Sequence, residues 1–486
     1  MTTIGADELE LVVVGAGPAG IGAALAAREH GVNVLVVDEG LAPGGQIYRA
    51  AFGGQPGTGP VEPDAEAAFG DRLRHQLQES GAHVLSRARV WCATPGFRVD
   101  ALVNEAAGPR HAGIRAKTLV AACGTTERIV PFPGWTMPGV VGLAAATTMM
   151  KSQFIVPGER TVVAGAGPLL AAVAAGFVKA GVAPVAVVDL ASRAEWLARL
   201  PRMAVRLDLV RRGVGWLHLI RKAGVPILHR HAVDEVRGTD NVDRVVVRAV
   251  DATGGLRSGV TARTFDADAL AVGHGLAPAS ELTRLLGARH VFDAQCGGWV
   301  AQHDDSFRTS VSGLYAAGDG AGVFGAAAAL IQGRIAGHTA ALDLGRTEAR
   351  VWRSAVTPLR RALARARQFG TAMSSIGAPR PGLIARIAPD TVVCRCEDVT
   401  RGAIDEAIQN GACEVNQVKA WTRCGMGPCQ GRVCGDTVAH LVAERVGSRV
   451  RAGIWTARAP LRPVAIDELP GQYEYADIPM PEDAPS

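Results

Sequence analysis

Leu11-Val12-Val13-Val14-Gly15-Ala16-Gly17-Pro18-Ala19-Gly20 reads as a buried strand that turns sharply into a helix. Four consecutive apolar residues suit a strand covered on both faces. Gly15 permits the tight turn, Gly17 lets the backbone approach a pyrophosphate, and Gly20 allows the helix Ile21 to His30 to pack closely on the strand. The helix start at Pro18-Ala19 offers the unpaired amides that follow the proline and the positive end of its dipole to a phosphate. A second strand, Val32 to Val37, ends at Asp38, where a carboxylate can take a ribose hydroxyl pair. Glu39, one residue past the strand end, is the second choice. Strand, glycine turn, helix, strand and terminal acid in this order predict an α/β chain with a dinucleotide-binding Rossmann fold.

Composition bounds the rest. A chain of 486 residues with 48% hydrophobic residues, 20% charged residues and net charge +5 suggests two to three domains. The slight positive balance, without basic runs, does not favour nucleic acid. Six of the nine cysteines fall between residues 394 and 434. A disulfide scaffold would be small and cysteine-dense throughout, so a reducing compartment is expected. The acidic start MTTIGADELE lacks the features of a signal peptide, which makes the expected location cytoplasmic. Pro168 to Val178, the longest apolar stretch, is too short to span a bilayer, which takes about 20 residues.

Three further segments bear on the nucleotide. Gly44-Gly45-Gln46 is a flexible loop suited to phosphate or flavin contact, Leu119 to Gly124 is an apolar strand ending in Ala-Cys-Gly, and Leu314 to Asp319 ends in Gly318-Asp319. Together with the opening turn they resemble the two-dinucleotide-binding flavoproteins, over residues 9 to about 340. That resemblance implies FAD, with Asp319 on the ribitol and a small-residue helix from Gly325 to Ala336. Cys123 stands where the family has threonine and reads as structural, no second cysteine being near it in sequence. A second nucleotide-fold pattern runs from Thr161 through Gly165-Ala-Gly167 to Leu170, with Asp189 ending its next strand. Asp189 favours NAD over a 2′-phosphate, whereas Leu170 at the third glycine position weakens close helix packing. A working NAD(P)H site, a structural nucleotide site and a fold without its ligand all stay open. His274 reads as a hydrogen-bonded loop histidine without a catalytic role.

Residues 195–222 read as a solvated amphipathic helix pair, and residues 346–372 as a basic helical stretch. Gly377 to Gly382 reads as an interdomain linker. Cys394-Arg-Cys396 puts two thiols on one short turn. Thr400 caps a helix ending before Gly411, and a glycine-rich loop carries Cys424, Cys429 and Cys434. Glycines at 425, 427 and 431 keep this loop irregular, so amides can point at sulfur. Four thiolates suit either a [2Fe–2S] cluster or a structural zinc, and the upstream flavin fold favours the redox-active choice. Cys413 is expected to be buried.

The stretch Thr422 to Cys434 resembles the bacterioferritin-associated-ferredoxin-like [2Fe–2S] domain, which implies Cys394, Cys396, Cys429 and Cys434 as ligands and Cys424 as a neighbour. The chain as a whole resembles the FAD/[2Fe–2S] subunit of multicomponent bacterial amine and amino-acid dehydrogenases. That group includes the A-type subunit of opine oxidase, the B-type subunit of hydrogen cyanide synthase, the larger (alpha) chains of proline and hydroxyproline dehydrogenases, and sarcosine oxidase alpha. The tail from Trp455 resembles that group's closing segment. The implied fold is a pair of glutathione-reductase-like Rossmann folds followed by the [2Fe–2S] domain. FAD-binding parts are expected at 1–155 and 301–345, the inserted nucleotide domain at 156–300, a helical linker at 346–388, the cluster domain at 389–447 and an extended tail at 448–486. The implied activity is electron relay from a CH–NH or CH–NH2 donor oxidised on a D-amino-acid-oxidase-like flavoprotein partner. A small ferredoxin-like partner, a quinone or another carrier as acceptor, and a peripheral membrane location through partners go with it. Two alternatives stand beside it: a self-contained NAD(P)H-dependent reductase, and a zinc-bound docking platform.

Overall fold

The computed structural model describes residues 9–50 and 65–468; the acidic start before residue 9 and the end of the tail beyond residue 468 lie outside them. Leu9–Val14 is buried at every position and pairs in parallel with Val34–Val37 on one side and the inner end of Gly108–Ala121 on the other. Leu314–Ala316 joins the far side of Gly108–Ala121, so the two FAD segments meet in one sheet. Antiparallel strands Ala88–Thr94 and Arg98–Glu105 extend it outward. The helix Pro18–Arg28 lies against Ala326–Asp343. Both are rich in glycine and alanine because their backbones touch: a Cβ on Gly333 would sit 1.9 Å from the Ala19 carbonyl oxygen.

The second sheet has five parallel strands in the order Ile227–His229, Ala186–Asp189, Thr161–Gly165, Ala269–Gly273 and Val140–Gly142. Val140–Gly142 comes from the stretch that the sequence assigns to the first FAD segment. Three residues carry no readable period, and their pairing with Leu270, Ala271 and Val272 makes them a strand. Ala349–Ile376 is one 28-residue helix, packed on Ala326–Asp343 and on Arg193–Met203.

Gly377 to Gly382 is packed structure rather than a free linker. A Cβ on Gly275 would lie 2.4 Å from the Gly377 carbonyl oxygen, the Gly382 amide donates to Thr253, and Leu383, Ile384 and Ile387 enter the C-terminal core. The proline and glycines mark a change of direction. Beyond it, Val392–Cys394 pairs with Val399–Thr400, and helices Arg401–Gln409, Val415–Thr422 and Gly435–Val446 close over Val393, Ile404, Val418 and Val438. Thr400 caps the first of them through a bond from the Ala403 amide, as its sequence position predicts. This core is continuous with Val130, Ala166 and Leu190 of the nucleotide folds.

Candidate redox site

The opening turn is built as its glycines require. Gly15 has φ +103°, and a Cβ there would lie 2.4 Å from the Ala122 carbonyl oxygen. Asp38 accepts from the Ala16 amide at 2.5 Å and the Gly40 amide at 2.7 Å. Burial raises its carboxyl above the ordinary range while both amides pull it down. Glu39 points outward, its side chain 62% exposed and 3.8 Å from Arg462. The Gly44 amide donates to Ala16, and Gly45 packs on Gly17. Gln46 accepts from Arg49. The Gly124 carbonyl accepts from the Ala279 amide. Gly318 donates to Gln332 at 2.8 Å and lies against Ala19, which brings Asp319 to the helix that the glycine turn starts. Asp319 Oδ1 accepts from the Phe324 and Gly325 amides at 3.0 and 2.9 Å.

The second fold keeps its turn, and Gly167, Pro168 and Asp189 line a cavity, but the strand-end acid is not free for a ribose. Gly165 has φ +140° and touches the Gly273 carbonyl. Leu170 is buried against Val173 and Phe177, filling the space a third glycine would leave. Asp189 is buried, and its carboxylate is already taken. Oδ1 accepts from the Ala191 amide at 2.9 Å, and Oδ2 meets Trp196 Nε1 at 2.9 Å and His229 Nδ1 at 3.1 Å. A ribose would have to displace an indole and an imidazole. NADH added anaerobically is therefore expected to leave the flavin oxidised over minutes; rapid bleaching of the visible flavin band would contradict it.

A cavity of about 1240 Å³ lies between the folds. Asp319 and Phe324 line it on the FAD side, Leu170 and Trp196 on the second fold, and Asp436 and His440 on the C-terminal domain. Glu127 also faces it, its carboxylate accepting from the Leu143 and Ala144 amides. Burial pushes this carboxyl up to about 7. A raised carboxyl favours the protonated fold, so stability falls as pH rises from about 4.5 to about 7 and then levels off. The effect is on the order of 3 kcal/mol at most. Glu127→Gln is expected to flatten that window in thermal melts, gaining most over the parent above it. His274 is buried, accepts from the Val130 amide at 3.1 Å and is held neutral by burial. Burial also pushes the Cys123 thiol up to about 12, which keeps it unreactive.

Five cysteines gather in the C-terminal module as two groups. Sulfurs of Cys394, Cys424 and Cys434 lie within 4.8 Å of one another, with Cys424 and Cys434 3.8 Å apart. Both thiols donate toward Cys394, which these bonds and the Gly425 amide hold low, at about 2. Cys396 meets the Cys429 amide and thiol instead. Cys424, placed outside the ligand set by the sequence resemblance, thus sits within the first group. Cys413 is exposed, contrary to its expected burial; it follows the helix end at Gly411, where the chain turns outward. The indole of Trp455 covers Gly425, Gly431 and Gly435, and a Cβ on Gly431 would lie 2.3 Å from its Nε1. A donor set of five thiols, with irregular backbone amides around it, fits a thiolate-bound cluster.

The module is fastened to the flavin folds by buried charge. Asp436, two residues after Cys434, pairs with Arg128 at 2.6 Å and Arg449 at 2.9 Å. Burial raises its carboxyl, but these cations outweigh that and hold it well below the ordinary range. Arg432 pairs with Glu281 at 3.1 Å. Sequence reasoning does not single out Asp436, Glu127 or Trp196. An acid in the first turn of a helix beside a cysteine is the one signal for Asp436.

Two joined nucleotide folds with an FAD-type turn and a GD motif define an FAD-dependent oxidoreductase, and residues 9–350 match the pyridine nucleotide-disulphide oxidoreductase model. Residues 389–472 match the sarcosine oxidase A3 domain. The chain belongs to the family that holds the A-type subunit of opine oxidase and the HcnB subunit of hydrogen cyanide synthase. It is 33% identical to the opine oxidase A-type subunit of Agrobacterium tumefaciens over 476 residues, 95% of this chain and 92% of that protein. It is 33% identical to HcnB of Pseudomonas aeruginosa over 478 residues, 94% of this chain and 97% of that protein. L-proline dehydrogenase from P. horikoshii has the same fold, with a TM-score of 0.68 at 21% identity over 95% of this chain and 79% of that one.

Proposed function

We propose that this chain is the electron-relay component of a multicomponent dehydrogenase acting on an amino acid or secondary amine of the opine, proline, sarcosine or glycine class. FAD would occupy the cradle formed by Gly15, Gly17, Asp38, Gly44, Gly45 and Asp319. A [2Fe–2S] cluster would be held by Cys396 and Cys429 from one sulfur group and by Cys394 and Cys434 from the other, supplying a one-electron exit from two-electron flavin chemistry. The observation that carries the reading is the shared cavity: it touches Asp319 of the GD motif and Asp436 of the helix that begins after Cys434. The flavin side and the helix that follows the last cysteine would then border one cavity.

The chain's own groups fit a relay better than a self-contained enzyme. Asp189 is bound to Trp196 and His229, which disfavours the NAD(P)H-dependent reading. Substrate oxidation is assigned to a flavoprotein partner, and a quinone or other carrier would receive the electrons. Steady-state oxidation of opines, proline, sarcosine and glycine by the purified chain, alone and with its partner, tests this. Activity is expected only in the complex. Equal rates from the chain alone would overturn the relay assignment.

A further inference from the structure

The helical pair Arg193–Met203 and Leu207–Lys222 presents two unlike faces. Trp196, Met203 and Val210 pack inward on the end of the long helix, and Ile220 is buried in the second fold. Outward, Leu197, Leu200, Leu207 and Val214 are 63%, 41%, 55% and 60% exposed. Helical spacing sets Arg193 beside Leu197 on the first helix, and Leu207, Arg211, Val214 and His218 in one stripe on the second. Apolar and cationic side chains therefore share the exposed face.

Charge on this segment has one sign. Residues 193–222 carry eight Arg and Lys against two acids. Arg206 is spent on Asp208 and Arg212 on Glu66. Arg193, Arg202, Arg211, Arg221 and Lys222 are exposed, and none forms an ion pair among the described residues. Leu197, Leu200 and Val214 also line the large cavity, so the apolar patch is part of its rim. Basic helices with exposed leucines lie in the interface of anionic bilayers, where the cations meet headgroups and the leucines enter the acyl boundary.

We propose that this helical pair is a membrane-docking element that seats the protein on an anionic bilayer and turns the cavity mouth toward the acyl chains. Unpaired cations spread along both helices suit a laterally adaptable anionic surface, and the rim leucines give the cavity an apolar entrance from it.

Flotation of the full-length protein with vesicles tests this directly. Phosphatidylcholine vesicles containing phosphatidylglycerol are expected to carry the protein, with binding at least about tenfold weaker to pure phosphatidylcholine and weakened by salt. The triple variant Leu197→Ser, Leu207→Ser, Val214→Ser and the double variant Arg202→Glu, Arg211→Glu are each expected to lose about tenfold in binding while melting like the parent. Arg350→Glu with Arg353→Glu makes the same charge change elsewhere and is expected to bind as the parent does. The proposal is overturned if the parent fails to float with anionic vesicles, if the patch variants float equally well, or if the control pair loses as much. Loss of the partner flavoprotein from the patch variants, without any vesicle binding by the parent, would assign the face to a protein contact and equally overturn it.

Discussion

Cys429→Ser is expected to strip the purified protein of its cluster, iron falling from about two atoms per chain to near zero and the visible bands beyond the flavin vanishing with it. Cys424→Ser is expected to keep both. The reason is the division of sulfurs. Cys396 and Cys429 meet each other, and among the described residues no other cysteine sulfur is grouped with them, so losing Cys429 would leave one iron of the proposed cluster with a single protein thiolate. The other group has three sulfurs within 4.8 Å, one more than an iron of the proposed cluster would take. Cys424 and Cys434 both donate toward Cys394, and the spare thiol is assigned to Cys424 because the resemblance of Thr422 to Cys434 to the [2Fe–2S] domain leaves that position outside the ligand set. Iron analysis and spectra of the two variants decide the assignment. If Cys424→Ser lost the iron and Cys434→Ser kept it, the ligand set would have to exchange those two residues.

Asp436→Ala is expected to cost about 3–5 kcal/mol, because it leaves buried cationic partners without their counter-charge. Arg128 and Arg449 have side chains only 5% and 13% exposed, and both bond the same carboxylate. Arg128 also donates to the Gly297 carbonyl, so it cannot swing to solvent without giving up a second contact. The loss falls between the cluster module and the flavin folds. Urea unfolding of Asp436→Ala should therefore begin with the C-terminal module, seen as early loss of cluster absorbance, while flavin fluorescence stays quenched. Asp436→Asn keeps an acceptor and should lose less. A single coincident transition at the parent midpoint would contradict the role given to this pair.

Much of the first fold was legible because backbone geometry dictates residue type there. Gly15 at positive φ against Ala122, the buried valines before it, and Asp38 at the strand end leave few other residues possible. The helix from Gly325 was legible for the same reason: its glycines and alanines answer a backbone contact with Pro18–Arg28. The cysteine pattern located the module, but sulfur grouping depends on how Arg423 and Gly425 turn the loop, which spacing does not encode. Asp189 has the right position for a ribose, yet Trp196 and His229 reach it from a helix and a neighbouring strand. Such closure is a tertiary property. The linker expected at 377–382 does connect the long helix to the C-terminal core, but its packing was not legible, because glycine marks both a free turn and a close packing contact.

Anaerobic reductive titration of the full-length chain, followed by visible absorbance and electron paramagnetic resonance, tests the central claim most directly. The relay account expects about three electrons per chain, two bleaching the flavin and one producing a rhombic signal of about one spin from the reduced cluster. A chain that takes up only two electrons, shows no such signal and contains zinc in place of iron would contradict it.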